Sequence, residues 1–278
     1  MIYLVLAAIA AAGCGGAPAC ALAPPPNGPT APFLWKAQRT GGPVVWLYGT
    51  IHNAGSADVP DAAWRALAAS PRLISELGDV AVDREATAEL ARLGPGKGLD
   101  QLLPQGDWYD LRDAMRGAIK EDDLKRLRPW YAMAQLTAHV APSASPTMDA
   151  ALASRARALG IAVDPLESLA VQLAALAATV TIPDLQQAIH ERKTIRCELE
   201  TLRATYLRGD VQAMQRLLLI AQTERLIVDR SRAWLAKLEP QLASNGAFVA
   251  VGLGHLLGSD GIPAMLERAG YVVSRAER

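Results

Sequence analysis

The sequence predicts an α/β fold: two βαβ-like units forming a central mixed sheet, with a large helical insert between them. Three observations carry this. Near the start, the apolar run Val44-Val-Trp-Leu-Tyr48 breaks at Gly49-Thr-Ile-His52. Near the end, Phe248-Val-Ala-Val251 breaks at Gly252-Leu-Gly-His255 in the same way. Between them, apolar residues recur at three- and four-residue spacing over long stretches, which is the period of a helix with one buried face. A short apolar run that stops at a glycine reads as a buried strand. In open α/β sheets, sites are built beyond the ends of such strands.

The first 23 residues carry no charged side chain. Met1 to Ala12 is apolar but shorter than the roughly 20 residues that span a bilayer, so it reads as the h-region of a secretory signal. Two processing patterns follow. Ala11-Ala-Gly-Cys14 is a lipoprotein box with Ala where Leu is usual, and Ala21-Leu-Ala23 is an A-x-A site followed by Pro24. The expected location is therefore the periplasm, or a membrane reached through a lipid on Cys14. With Cys14 and Cys20 assigned to residues 1–23, Cys197 remains alone, and a fold without an internal disulfide is expected. Residues 24–32 are a Pro-rich linker, and 33–278 form the folded part.

Phe33-Leu-Trp-Lys36 and Val44–Tyr48 read as a strand pair around Gly41-Gly42-Pro43. Asp61–Ala68 is a helix, with Pro60 and Asp61 as start signals. Arg72–Leu77 is the next strand, expected to pair with the first His strand. In the insert, helices are predicted over Trp108–Ile119, Glu121–Val140, Met148–Leu159, Leu166–Ala178, Asp184–Leu207 and Val211–Leu242, with a short strand at Ile161–Val163. After Phe248–Val251 come a helix at Ile262–Ala269 and a strand at Gly270–Val273.

Hydrophobic residues make up 51% of the 278 and the net charge is zero, which allows a sizeable core and offers no basic surface for nucleic acid. Aromatics at 5% also argue against a base-stacking platform.

His52 and His255 each have an imidazole nitrogen to offer a divalent ion, and Glu76 stands at the end of the next strand. Two His and one carboxylate with open positions form a usual catalytic metal set. Such an ion lowers the pKa of bound water and polarises a carbonyl. Glu76 is equally suited to act as general base. The alternative for each His is a strand-end cap. Asp149 and Glu167 are further carboxylates, each also explained as a helix-start residue. Arg230 is suited to hold a carboxylate of substrate or site, or to form a surface ion pair. Gly49, Gly252 and Gly254 are expected where the backbone turns sharply or a ligand comes close, and Thr50 where an oxyanion needs a donor. His139 and His190 lie in helical stretches without partners in pattern. No H-E-x-x-H, G-x-S-x-G or P-loop occurs, and the third Gly of Gly252–Gly258 falls one place too late for a dinucleotide loop.

Leu47-Tyr-Gly-Thr-Ile-His52, Ser75-Glu76, Met148-Asp149, Pro165-Leu-Glu167, Arg230–Trp234 and Val251-Gly-Leu-Gly-His-Leu-Leu-Gly258, in that order, resemble the TraB/PrgY/GumN family, whose relatives include the Tiki proteases. One departure is Ser231, where the family often has Asn. The resemblance implies a metal-dependent hydrolase fold, with the Tiki members acting as peptidases. His and carboxylate ligands suit Zn, Mn, Co or Fe, and the bond cleaved is expected to be a peptide or an ester, in a peptide or small-molecule substrate. The competing readings are a non-catalytic metal- or haem-binding protein, as in related haem-binding lipoproteins, and a partner-binding scaffold. The charged helices of Asp184–Leu242 offer surface for a homodimer or another partner.

Overall fold

A computed structural model describes residue 20 and residues 31–78, 87, 89–219 and 221–277. The signal, the Cys14 box, the Ala21-Leu-Ala23 site and the linker up to residue 30 lie outside these residues. The chain forms two compact units. One comprises Leu22–Val80, Ser143–Ser168 and Thr201–Arg278, and the other Ala81–Pro142 and Leu169–Glu200 together with Cys20.

The first unit contains the predicted mixed sheet. Its strands are β1 (Leu34–Gln38), β2 (Val45–Thr50), β3 (Arg72–Ser75), β4 (Ala162–Pro165), β5 (Ala247–Gly252) and β6 (Val272–Arg275). They lie in the order β4-β3-β5-β2-β1-β6. β2, β5, β3 and β4 run parallel, while β1 is antiparallel to both β2 and β6. The near-continuous apolar runs of β2 and β5 are explained by their central place, since strands covered on both faces lose the polar alternation. β5 is buried at every residue but the last.

The pairing corrects one expectation. β3 does not pair with β2, because β5 lies between them. The C-terminal unit likewise spans β2 and β1 before β6 is reached. Both connections keep their helices, Asp61–Ala68 and Ile262–Arg268, but each crosses over strands from the far end of the sequence. Ile161–Val163 extends as β4 to Pro165.

Several predicted long helices are broken. Glu121–Val140 divides into Glu121–Lys125 and Pro129–Val140. Pro129 stands at the first helical position, where its missing N–H costs nothing, and Arg128 before it is extended. Asp184–Leu207 becomes Ile182–His190 and Ile195–Arg208. Val211–Leu242 becomes Val211–Leu218 and Ala221–Asn245.

The second unit is helical. Trp108, Leu111, Trp130, Leu136, Leu173, Leu176, Leu185 and Ile189 are buried within its elements. His190 is an exposed partner of Asp107, with Nε2 and Oδ1 2.6 Å apart, and His139 is exposed. This unit also corrects the cysteine reading: Cys20 and Cys197 form a disulfide. The expectation failed because it assigned Cys20 to a removed segment.

Candidate functional site

The parallel register of β2 and β5 brings the two glycine motifs to one sheet edge. Gly49 lies opposite Val251 and Thr50 opposite Gly252. β3 brings Ser75 opposite Ala250, so Glu76 leaves the sheet at the same edge. β4 pairs Pro165 with Ser75, and the Glu167 amide donates to the Glu76 carbonyl at 3.0 Å. The carboxyl ends of four parallel strands thus deliver His52, His255, Glu76 and Glu167, all within the sheet-containing unit.

Glu76 sits between a backbone donor and a cation. Its Oε1 accepts from the Gly252 amide at 2.8 Å and its Oε2 from Arg230 Nη2 at 2.9 Å. A Cβ on residue 252 would lie 3.2 Å from that Oε1, so glycine here lets the carboxylate reach the strand end. Burial alone would push the Glu76 carboxyl up. The charges of His255 and Arg230, the Gly252 amide and His52 outweigh it and hold the carboxyl down at about 2. Gly49 and Gly254 also serve close packing. Added Cβ atoms would meet Leu253 and Ile227 side chains at 2.5 and 2.7 Å.

Arg230 projects from the helix Ala221–Asn245. Its Nε donates to Glu167 Oε2 at 3.2 Å, and its Nη2 donates to Glu167 Oε1 as well as to Glu76. The guanidinium lies over the Trp234 ring, 4.6 Å from its centroid. Trp234 Nε1 donates to Glu167 Oε2 at 3.1 Å. Arg230 therefore holds carboxylates of the site itself, and Glu167 is a buried anchor for it rather than a helix-start residue.

His255 lies in the short turn Leu253–Leu256, 4% exposed. Its Nδ1 is 2.8 Å from Ser231 Oγ, and that hydroxyl donates to the Ile227 carbonyl at 2.8 Å. The hydroxyl proton is thus committed, so Nδ1 carries the hydrogen and Nε2 keeps a lone pair. Nε2 faces Arg230 Nη1 at 3.4 Å. Burial drives the His255 imidazole down to about 4, against the opposing pull of Glu76, so the ring is neutral at pH 7. It packs on Trp234 with centroids 4.3 Å apart.

The N-cap of the helix Met148–Ala158 is Thr147, whose side chain accepts from the Ala150 amide. Asp149 is free of that duty. It accepts from Thr50 Oγ1 at 2.8 Å, and its other oxygen lies 3.9 Å from His52 Nδ1. Thr50 thus orients a carboxylate instead of supplying a free donor to an oxyanion. Burial raises the Asp149 carboxyl above its usual range, with His52 opposing and Glu76 adding to the rise. The His52 side chain is 42% exposed, the most open of the group.

Sequence reasoning assigned no role to Trp234, Tyr48 or Tyr206. Tyr206 donates to the Gly49 carbonyl at 2.7 Å and meets the Tyr48 hydroxyl at 3.0 Å, which fixes the end of β2 from below. The apolar run around Tyr48 and the helical setting of Tyr206 gave no signal of this contact.

The site holds three carboxylates, Glu76, Glu167 and Asp149, against one guanidinium, Arg230. When all are ionised this leaves an excess of negative charge before the imidazoles are counted. Among the described residues, no three His, Cys, Asp or Glu side chains stand in an arrangement that would hold a metal ion.

No curated protein and no solved structure matches the chain. The sequence model of the TraB/PrgY/gumN family does, over residues 33–275. That span takes in every strand and every residue of the site, and the protein belongs to the TraB/PrgY/gumN family.

Proposed function

We propose that the protein is a metal-dependent hydrolase, peptidase-like, with its reaction centre at the edge where His52, His255 and Glu76 meet. The observation that carries this is the state of His255. Its Nδ1–H is tied into the Ser231–Ile227 relay, the way metal-binding imidazoles are oriented, and its neutral Nε2 presents a lone pair that Arg230 Nη1 faces at 3.4 Å. Glu76, held ionised at the same edge, and the open imidazole of His52 supply donor types that suit a divalent ion, and the surplus of carboxylates favours one; in this structure the three are not drawn together as a ligand set. His52, His255 and Glu76 would hold the ion. When bound, it lowers the pKa of water and polarises a carbonyl.

The remaining residues have separable tasks. Asp149, raised in pKa and fixed by Thr50, is suited to take a proton from water, directly or with His52. Arg230 clamps Glu76 and Glu167 and keeps the carboxylate surplus tolerable. Trp234 covers both the guanidinium and His255, which limits water there.

The test is hydrolysis of a panel of short peptides and esters by the full chain with Mn, Zn or Co added. Turnover that needs the ion and disappears in His52→Ala and Glu76→Gln supports the reading. Turnover indifferent to chelator and to both substitutions sinks it.

A second reading rests on Arg230, which already engages Glu76 and faces His255 Nε2. A cation so placed suits a non-catalytic site that binds haem or another small ligand. A Soret band on haemin titration, abolished in His52→Ala and without any turnover, would favour it.

A further inference from the structure

The disulfide bears on how the chain is exported and cut. Cys20 and Cys197 lie 177 positions apart in sequence with Cα atoms 5.1 Å apart, inside the range that a disulfide bridges without moving the backbone. Both belong to the helical unit, with Cys197 in the helix Ile195–Arg208. Such bonds persist in oxidising compartments and are rare where glutathione keeps thiols reduced. Ahead of Cys20 lies the uncharged apolar segment read above as an export signal. Its two processing patterns differ in one respect: a cut at Cys14 keeps Cys20, and a cut after Ala23 removes it.

We infer that the mature exported protein keeps Cys20 and joins it to Cys197, so that Ala21-Leu-Ala23 is not its processing site. The bond forms by exchange with a protein disulfide of the exporting compartment. The Cys20 and Cys197 thiols give up two protons and two electrons, and the donor disulfide is reduced to two thiols. A cysteine in a discarded peptide would leave Cys197 as an unpaired thiol on an exported surface. The pairing also ties the start of the mature chain to the helical unit.

The experiment is to express the full chain with its own signal and a C-terminal tag in a bacterium with a periplasm. Free thiols are blocked, and the product is digested without reduction. The expected result is an N-terminus no later than Cys20, acylated at Cys14 or not, and a Cys20–Cys197 linked peptide about 2 Da lighter than the two thiol peptides summed. Cys20→Ser and Cys197→Ser should each lower the melting temperature, and the double variant by no more than either, because they remove one shared bond. A mature N-terminus at Pro24, a blocked Cys197, or Cys197 linked to Cys14 would each overturn the inference. So would a melting temperature unchanged by Cys20→Ser.

Discussion

Replacing Arg230 by Met tests the electrostatic design of the site. Met keeps much of the apolar stem and removes the charge shared by Glu76 and Glu167, whose side chains are 15% and 4% exposed. Breaking a buried pair from one side costs about 3–5 kcal/mol, because the remaining charge is left without compensation. Each carboxylate here retains one donor, the Gly252 amide for Glu76 and the Trp234 indole for Glu167. The lower end, about 3 kcal/mol, is therefore expected. For a chain of this size that corresponds to a melting temperature lower by about 6–12 °C. The sign with pH follows from the stranded carboxylates. Without the guanidinium the buried Glu76 carboxyl favours its protonated form, so the deficit against wild type should shrink from pH 8 to pH 4. Arg230→Lys restores the charge without the side-on geometry and should recover only part of the loss. The assay is thermal unfolding followed by circular dichroism across that pH range. A variant within 1 °C of wild type at pH 7, or a deficit that grows on acidification, would refute the reasoning.

Four further outcomes follow from the same geometry. His255, driven down to about 4 from an ordinary 6.5, stays neutral in the fold and takes up a proton on unfolding. Stability should therefore be full above pH 6.5 and fall by roughly 3 kcal/mol towards pH 4; urea titrations of wild type and His255→Asn check this, and the variant should lose most of that slope. Glu76, held at about 2, adds a second loss as pH falls from about 4.5 towards 2. Ser231→Ala removes the relay that sets the His255 tautomer and should weaken Mn binding by about 10–100-fold, measured by calorimetric titration. Tyr206→Phe leaves the buried Gly49 carbonyl without its donor and should cost about 1–3 kcal/mol in urea unfolding.

What the sequence made legible followed from local pattern. Gly49 and Gly252 mark where two buried strands stop, and the residue types at those stops identify His52 and His255 before any fold is known. Glu76 was legible as a residue near the end of a strand, although the reason for its proximity was not. It reaches the site because β5 inserts between β2 and β3, a pairing across more than 170 positions that no local periodicity encodes. Asp149 read as a cap because it begins a helix, yet Thr147 two positions earlier takes the cap and frees it. Ser231 stood out as a departure from the family pattern. Its hydroxyl meets His255 Nδ1 all the same, because one oxygen can accept from an imidazole and donate to a carbonyl. The disulfide was lost to the sequence reading because Cys20 was assigned, with Cys14, to the segment expected to be removed.

The measurement that bears most directly on the proposed metal-dependent hydrolysis is ion stoichiometry. The full chain and its His52→Ala, His255→Ala and Glu76→Gln variants are loaded with Mn, Zn or Co, freed of excess ion by gel filtration and analysed for bound metal. Close to one ion per wild-type chain is expected, with a loss of it in all three variants. A wild type that retains no ion, or variants that bind as wild type does, would contradict it.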